Sequence, residues 1–151
     1  MDIQRKDVHN SETPVLCQAC ESRHRGVCGA LTPDQLLQLS KHSTRRTVEP
    51  GTELVGESLQ TKSYSNIISG VVKLSKMMAD GRQQIVGLQF APDFLGRPFR
   101  SENGVSAEAA TDVKVCSFPK AAIERMISEM PELEHKLLEQ TLTELDEARD
   151  W

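Results

Sequence analysis

Three of the four cysteines in the chain are crowded into one short stretch near the N-terminus. Cys17, Cys20 and Cys28 lie within the twelve residues CQACESRHRGVC, and Cys116 follows almost ninety residues later. Thiols in this arrangement can form disulfides, bind a metal ion or hold an iron–sulfur cluster. On spacing alone, the Cys-x2-Cys pair favours a structural zinc site with four cysteine ligands.

The rest of the chain argues against export and against membrane insertion. The N-terminus, MDIQRKDVHNSETPVL, has no apolar segment behind its early charges, so a secretion signal is not expected. The chain is 38% apolar and contains no run near the ~20 residues that cross a bilayer. We therefore expect a cytoplasmic protein that does not interact with membranes and whose thiols stay reduced, which disfavours disulfides.

Charge is concentrated at the C-terminal end. Residues 121–151 carry three basic and nine acidic side chains, a net charge of −6, whereas 1–50 and 51–120 each carry +1. Because an acidic segment repels phosphate backbones, we expect that this chain does not bind DNA by itself.

Three regions are predicted along the chain: an extension with the cysteine loop over 1–29, a globular domain over 30–130 and a helix over 131–151. In the globular domain, LTPDQLLQLS predicts a helix with Thr32 as N-cap and Pro33 at its first position. Pro119 precedes a second short helical pattern, and Pro131 opens the long one.

Between Arg45 and Phe118 the pattern changes to short β-branched runs separated by turn residues, which predicts several short strands. Residues 71–78 and 83–90 are predicted to pair as a hairpin, with Asp80 and Gly81 at the turn.

This order of elements resembles the sensor half of the cyclic-AMP receptor protein and FNR superfamily of bacterial transcription regulators. The resemblance covers about residues 30–151 and is carried by EPGTELVGE, YSNIISGVVKLSKMMADGRQQIVGLQFAPDFLG and SFPKAAIERMISEMPEL. It implies an α+β fold, in which a small jelly-roll-like β-barrel of the cyclic-nucleotide-binding type is flanked by an N-terminal helix and a long C-terminal dimerisation helix.

The cysteines are similar to those of the FNR-type oxygen sensors, in which a loop and one barrel cysteine hold a [4Fe-4S] cluster. The resemblance implies that the cluster's metal ligands are Cys17, Cys20, Cys28 and Cys116. A cubane needs four thiolates from different directions, which a loop and a rigid scaffold can supply together. A zinc-stabilised interaction domain and, less readily, disulfides remain open as alternatives.

The segment FLGRPFRSENGVSAEA departs from the cyclic-nucleotide branch of the superfamily. In that branch a Glu binds the ribose hydroxyl and an Arg-Ser pair binds the phosphate. Here Arg97 stands where the Glu would be and is followed by Pro98, while Val105 precedes Ser106. We therefore expect no cyclic nucleotide, although a cyclic-nucleotide-binding regulatory module remains an alternative function.

Catalysis and haem binding receive no support from the sequence. The chain contains no Ser-His-Asp set and no Gly-rich phosphate loop, so an enzyme is not expected. The histidines are scattered and share no obvious face, which makes haem ligation a poor interpretation; they are His9, His24, His42 and His135.

The last helix carries a possible dimer seam. Leu138, Thr141, Leu145 and Ala148 follow the 3, 4, 3 spacing of a short coiled coil, and we expect Leu133, Leu137 and Leu142 to face the barrel instead. The resemblance implies a homodimer through this helix, with DNA and RNA polymerase bound only by regions missing from this chain. The sequence thus predicts the iron–sulfur oxygen-sensing and dimerisation domain of an FNR-type regulator.

Overall fold

Eight strands, three α-helices and one 3-10 turn make up the part of the chain that the structure describes. The structure is a computed structural model and describes residues 26–56, 60 and 62–150. The helical elements are the 3-10 turn Val27–Ala30, α1 (Pro33–Ser40), α2 (Lys120–Glu129) and α3 (Pro131–Arg149). The strands are β1 (Thr44–Val48), β2 (Glu53–Val55), β3 (Ser63–Ser69), β4 (Val71–Met77), β5 (Gln83–Phe90), β6 (Phe94–Leu95), β7 (Ser106–Ala109) and β8 (Val113–Pro119).

The strands form two four-stranded antiparallel sheets. The first sheet has the order β1-β8-β3-β6 and the second has the order β2-β7-β4-β5. Strands that are distant in sequence are neighbours in both sheets, as in a jelly roll. The predicted α+β fold with a jelly-roll-like barrel is confirmed.

The first sheet separates two apolar cores. Apolar side chains from both sheets meet between them, among them Ile67, Val72 and Val115. The outer face of the first sheet contributes Tyr64 and Phe118 to a second core, which the helices cover. Because successive side chains of a strand point to opposite faces, β8 supplies Val115 to one core and Cys116 to the other.

The local signals at the helix starts are confirmed. Thr32 Oγ1 accepts a hydrogen bond from the backbone N–H of Gln35 at 3.3 Å, and Gln35 Oε1 accepts one from the N–H of Thr32 at 2.8 Å. This reciprocal pair is a capping box, which satisfies two donors that the helix would otherwise leave unpaired. Pro131 occupies the first turn of α3, where a missing N–H costs nothing.

The predicted hairpin is also confirmed, since β4 pairs with β5 from Val71–Phe90 to Met77–Gln83. Gly81 in its turn has φ +89°, a backbone conformation that glycine adopts without steric cost. Asp80 Oδ1 accepts a hydrogen bond of 3.0 Å from the N–H of Arg82, which closes the turn.

One predicted orientation on α3 is wrong. Leu133 is buried and Leu137 packs against the helix-covered core, as expected, but Leu142 is 51% exposed. Nine residues at 3.6 residues per turn place Leu142 about 180° around the helix from Leu133. By the same geometry, Gln140 and Glu144 lie within about 20° of Leu133, so the barrel-facing side of α3 becomes polar towards its C-terminal end.

Candidate functional site

Cys116 lies in the middle of a strand that is paired on both sides. Its Cα partners are Arg45 in β1 and Asn66 in β3. The thiol is buried on the helix-covered face of the first sheet, among apolar side chains that include Phe118 and Ile123. Two ladders of backbone hydrogen bonds therefore fix the position of this cysteine.

Cys28 reaches the same core from the N-terminal side. It lies in the 3-10 turn, where Gly29 N–H donates to Gly26 O at 3.0 Å and Leu31 N–H donates to Cys28 O at 3.2 Å. The Cys28 thiol is buried and belongs to the same apolar cluster as Cys116. The fold thus brings together two of the four cysteines that the sequence singled out.

Asn66 joins these two cysteines and was not recognised from the sequence. It is the cross-strand partner of Cys116, and its Nδ2 donates to the sulfur of Cys28 at 3.3 Å. Asn is disfavoured inside strands, so its position within β3, next to Ile67 and Ile68, was the available signal. The signal indicates a special role for the side chain, but only the strand register shows which residue it faces.

The other two predicted ligands, Cys17 and Cys20, lie outside the described residues. Within residues 26–56, 60 and 62–150, no group of three or more His, Cys, Asp or Glu side chains is arranged to hold a metal ion. The four-cysteine ligand set therefore stays a prediction.

The long C-terminal helix lies directly against the turn that carries Cys28. The 3-10 turn packs on α3, and Val27, Cys28 and Leu133 share the helix-covered core. A change in the position of the turn would therefore meet the first turns of α3 without any intervening element.

The segment that would bind a cyclic nucleotide surrounds a polar cavity of about 370 Å³. The cavity is lined by Lys76, Arg97, Arg100, Ser101, Glu102, Asn103 and Gly104. A Cβ at Gly104 would lie 2.6 Å from Arg97 Nη1, so the guanidinium packs against the glycine. The residue predicted to replace the ribose-binding Glu is thus part of this cavity.

A buried tyrosine and a glutamate from α2 fix this segment to the barrel. The Tyr64 hydroxyl donates to Glu124 Oε1 at 2.9 Å, and the same oxygen accepts from the N–H of Phe99 at 3.1 Å. Burial and then the neighbouring Glu124 carboxylate raise the pKa of Tyr64, so its phenol stays protonated and remains a donor. Phe99 is held at φ +64°, which is uncommon for a residue with a side chain.

On the opposite end of α3, acidic groups pack against the barrel. Glu144 Oε1 accepts a hydrogen bond from Gln89 Nε2 at 3.1 Å. Burial, followed by the nearby Asp93 and Glu147, raises the pKa of Glu144 to about 7. Burial also raises the pKa of Asp93, whose Oδ2 accepts from the N–H of Phe90 at 3.0 Å. In the sequence, Glu144 counts only as one of the nine acidic side chains of residues 121–151, and nothing there indicates its contact with Gln89.

Comparison with known proteins identifies the family. A family model described as a cyclic nucleotide-binding domain matches residues 45–130. Over its whole length the chain is 54% identical to a probable transcriptional activator from Rhizobium leguminosarum bv. viciae, of which it covers 63%. The chain belongs to the cyclic-AMP receptor protein and FNR superfamily. Another relative in this superfamily is the transcriptional activator protein FnrL of Cereibacter sphaeroides, 34% identical over 135 residues, or 89% of this chain and 54% of FnrL.

Solved structures agree with membership of the superfamily. FixK2 from Bradyrhizobium japonicum matches with a TM-score of 0.65 and 25% identity, over 72% of this chain and 55% of FixK2. The sensor domain of the regulator DNR from Pseudomonas aeruginosa matches with a TM-score of 0.71 over 86% of this chain and 89% of that domain. Its identity of 19% supports the shared fold alone.

The chain spans between 54% and 63% of the length of the two curated relatives named above. Among the residues that the structure describes, no helix is both long enough and apolar enough to cross a membrane.

Proposed function

We propose that this chain is the oxygen-sensing and dimerisation domain of an FNR-type transcription regulator, and that Cys17, Cys20, Cys28 and Cys116 hold a [4Fe-4S] cluster. The observation that carries the proposal is that Cys28 and Cys116 lie in the same buried group of apolar side chains, although one belongs to a turn and the other to a sheet. The amide of Asn66 supports the fit, because it donates towards a cysteine sulfur in this otherwise apolar region.

Each described cysteine has a separate task in this proposal. A [4Fe-4S] cluster supplies an oxygen-reactive group and needs thiolates from several directions. Cys116 offers one thiolate from a position fixed by β1 and β3. Cys28 offers another from a short turn, and the neighbouring Val27 and Leu31 limit the access of water to both.

The response to oxygen passes from the turn to α3. The 3-10 turn packs on α3, and Leu133 of that helix shares the core with Cys28. Cysteine ligation orders the loop and supports the first turns of the helix. When the cysteines no longer hold the cluster, this support is lost, and association through the dimer seam on the same helix is weakened.

The names of the relatives also support a regulator rather than an enzyme, since two of them are described as transcriptional activators. Binding of DNA and RNA polymerase is assigned to regions outside this chain, which spans only part of those proteins. We place the domain in the cytoplasm, where thiols stay reduced.

A second candidate function is a cyclic-nucleotide-binding regulatory module, favoured by the description of the matching family. The sequence of this segment disfavours it, because Arg97 and Val105 replace the ribose-binding Glu and the phosphate-binding Arg of that branch. A zinc site with the same cysteines is the other alternative to an iron–sulfur cluster.

Metal and sulfide analysis of the 151-residue chain purified without air tests the proposal. We expect about four iron and four sulfide per chain, because a cubane contains four of each. Replacing Cys116 with Ala removes the ligand from the rigid strand, so iron content should fall by more than half. Ser117→Ala is the matched control, because Ser117 is the next residue of β8 and hydrogen-bonds to Ser65 Oγ instead.

Full iron content in Cys116→Ala would contradict the ligand assignment. Stoichiometric zinc without sulfide in the parent chain would replace the iron–sulfur proposal with a zinc-stabilised interaction domain.

A further inference from the structure

Asn66 is a fully buried amide in a place where an apolar residue would be expected. It is 1% exposed and lies in β3 between Ser65 and Ile67. Burying an amide is unfavourable unless its polar atoms find partners. The side chain therefore has to be explained by what it contacts.

The strand register directs Asn66 to the cysteines. Directly paired residues of antiparallel strands project to the same face, with Cβ atoms about 4.5–5.5 Å apart. Asn66 is paired with Cys116 in this way, and its Nδ2 donates to Cys28 Sγ at 3.3 Å. One amide thus stands beside both of the described cysteines.

Cys28 Sγ is a weak hydrogen-bond acceptor for this amide as long as the cysteine is a neutral thiol. A thiol sulfur is a weak acceptor, whereas hydrogen bonds to an ionised acceptor are about twice as strong as neutral ones. In addition, Asn66 Oδ1 has no hydrogen-bond partner within the described part of the chain. Burial of this amide would be better compensated if the sulfur that accepts from Nδ2 carried negative charge, as a metal-bound thiolate does.

We propose that Asn66 is a positioning residue of the cluster, whose side-chain N–H donates to the cysteine sulfur that binds the metal. The inference rests on the proposed function. Hydrogen bonds to the sulfurs are among the factors that set the reduction potential of an iron–sulfur cluster. Because the reduced cluster carries one more negative charge, a donor at the sulfur favours reduction.

Asn66→Leu tests the role, because leucine keeps the branched shape of the side chain and removes the donor together with the unpartnered oxygen. The chain is purified without air, its iron and sulfide are counted, and its midpoint potential is followed by spectroscopic titration with dithionite. We expect the iron content to persist and the ratio of reduced to oxidised cluster at a fixed potential to fall about tenfold, a shift of about −59 mV for one electron.

Two further variants separate this role from a purely structural one. Asn66→Ser keeps a shorter donor and should show a smaller negative shift than Asn66→Leu. Ser65→Ala changes the adjacent side chain, which bonds to Ser117 Oγ at 2.8 Å, and should leave the potential unchanged. If Asn66→Leu does not fold, Asn66→Ser decides by the same criterion.

The failures of the two proposals have different signatures. A parent chain that assembles no iron and sulfide overturns the proposed function and this role with it. A parent chain with a full cluster, together with unaltered potentials in Asn66→Leu and Asn66→Ser, overturns only the role of Asn66.

Discussion

Neighbouring residues of β8 face opposite sides of the first sheet, so that one core contains a thiol and the other contains only apolar side chains of this strand. Val115 packs between the two sheets, while the next residue, Cys116, packs under the helices. The cysteine is also held in register between Arg45 and Asn66. A shift of the strand by one residue would exchange the two faces and move the thiol into the barrel.

At the cavity between the barrel and residues 97–104, we predict no binding of cyclic AMP. A buried phosphate needs a charged, hydrogen-bonded partner, and the ribose needs its own acceptor. Calorimetric titration of the parent chain, Arg97→Glu and Val105→Arg should show no saturable cyclic AMP binding, because each single change restores only one of the two contacts.

The cations that line this cavity require a control for general anion attraction. Lys76, Arg97 and Arg100 surround it, with Glu102 as the acidic lining residue. Titration with non-cyclic AMP measures that background. Micromolar binding of cyclic AMP well above the background in the parent chain would favour the nucleotide-binding alternative.

Motifs revealed some of these residues and could not reveal others. The cysteines and the departures at Arg97 and Val105 are visible because each occupies a known place in a linear pattern. Asn66 carries meaning only through its pairing with Cys116, fifty residues away, and that register depends on the tertiary fold.

Among the secondary-structure elements, α3 presents a face of mixed polarity to the barrel. Leu133 and Leu137 pack on the helix-covered core, and Glu144 reaches Gln89 further along the same side. The leucine contacts hold the helix at all pH values, whereas packing of the Glu144 side chain against the barrel is more favourable when its carboxyl group is protonated.

We predict that Glu144→Gln stabilises the chain at pH 8 and has little effect at pH 4.5. The pKa of Glu144 is raised from 4.5 to about 7 in the folded chain, so the folded state binds the proton more tightly than the unfolded state. Stability from this group is therefore full below pH 4.5 and is lost as the pH rises through 7. After allowance for partial solvent exposure, we expect a gain of roughly 1 kcal/mol at pH 8.

Urea denaturation across this pH range measures the effect. Asp146→Asn is the matched control, because Asp146 is exposed on the same helix and loses the same charge. If the two variants change stability equally at pH 8, general charge reduction explains the gain and the contact with Gln89 does not.

Helix and strand positions were largely predictable because the local signals agree with the fold. The capping residues Thr32 and Gln35, the Asp80-Gly81 turn and the proline at 131 all act over a few residues. The orientation of Leu142 was wrong because leucines alone were used to define the helix face. The polar Gln140 and Glu144 occupy the barrel side that Leu142 was assigned to.

In the molecule as a whole, α3 connects the proposed sensor with the proposed dimer seam, because it packs on the turn with Cys28 and also carries the seam residues. The N-terminal part of α3 packs on the turn with Cys28, while Leu138 and Leu145 further along are 56% and 41% exposed. Burial of a leucine contributes about 2 kcal/mol, so a four-position seam with Thr141 and Ala148 gives marginal association. Modest support at the start of the helix can therefore shift the monomer–dimer equilibrium.

We predict that anaerobic protein is more dimeric than air-exposed protein at equal concentration. In the proposed function, ligation of the cluster holds the turn against α3, and exposure to air would remove that support. Raised salt should favour dimers in both forms, because it screens the −6 charge of residues 121–151. Analytical ultracentrifugation of both forms at two salt concentrations measures these changes.

Leu145→Asp should abolish the anaerobic dimer by placing a charge in the seam. Thr143→Asp is the control with the same added charge, since Thr143 lies about 160° around the helix from Leu145. Equal mass distributions with and without air, or dimers of Leu145→Asp as stable as those of the parent, would show that α3 is not the switch.

The first sheet also acts as a partition between two compartments of the molecule. Its inner face belongs to the barrel core and its outer face to the thiol site, and they share a backbone but not side chains. Substitutions among the side chains between the two sheets can therefore accumulate without contacting the thiols, whereas Tyr64 on the outer face also hydrogen-bonds to the backbone of Arg97 at the cavity. Under the proposed function, a lineage built on this scaffold can exchange a small-molecule signal for a metal held beneath the helices, while the same helix continues to deliver the output.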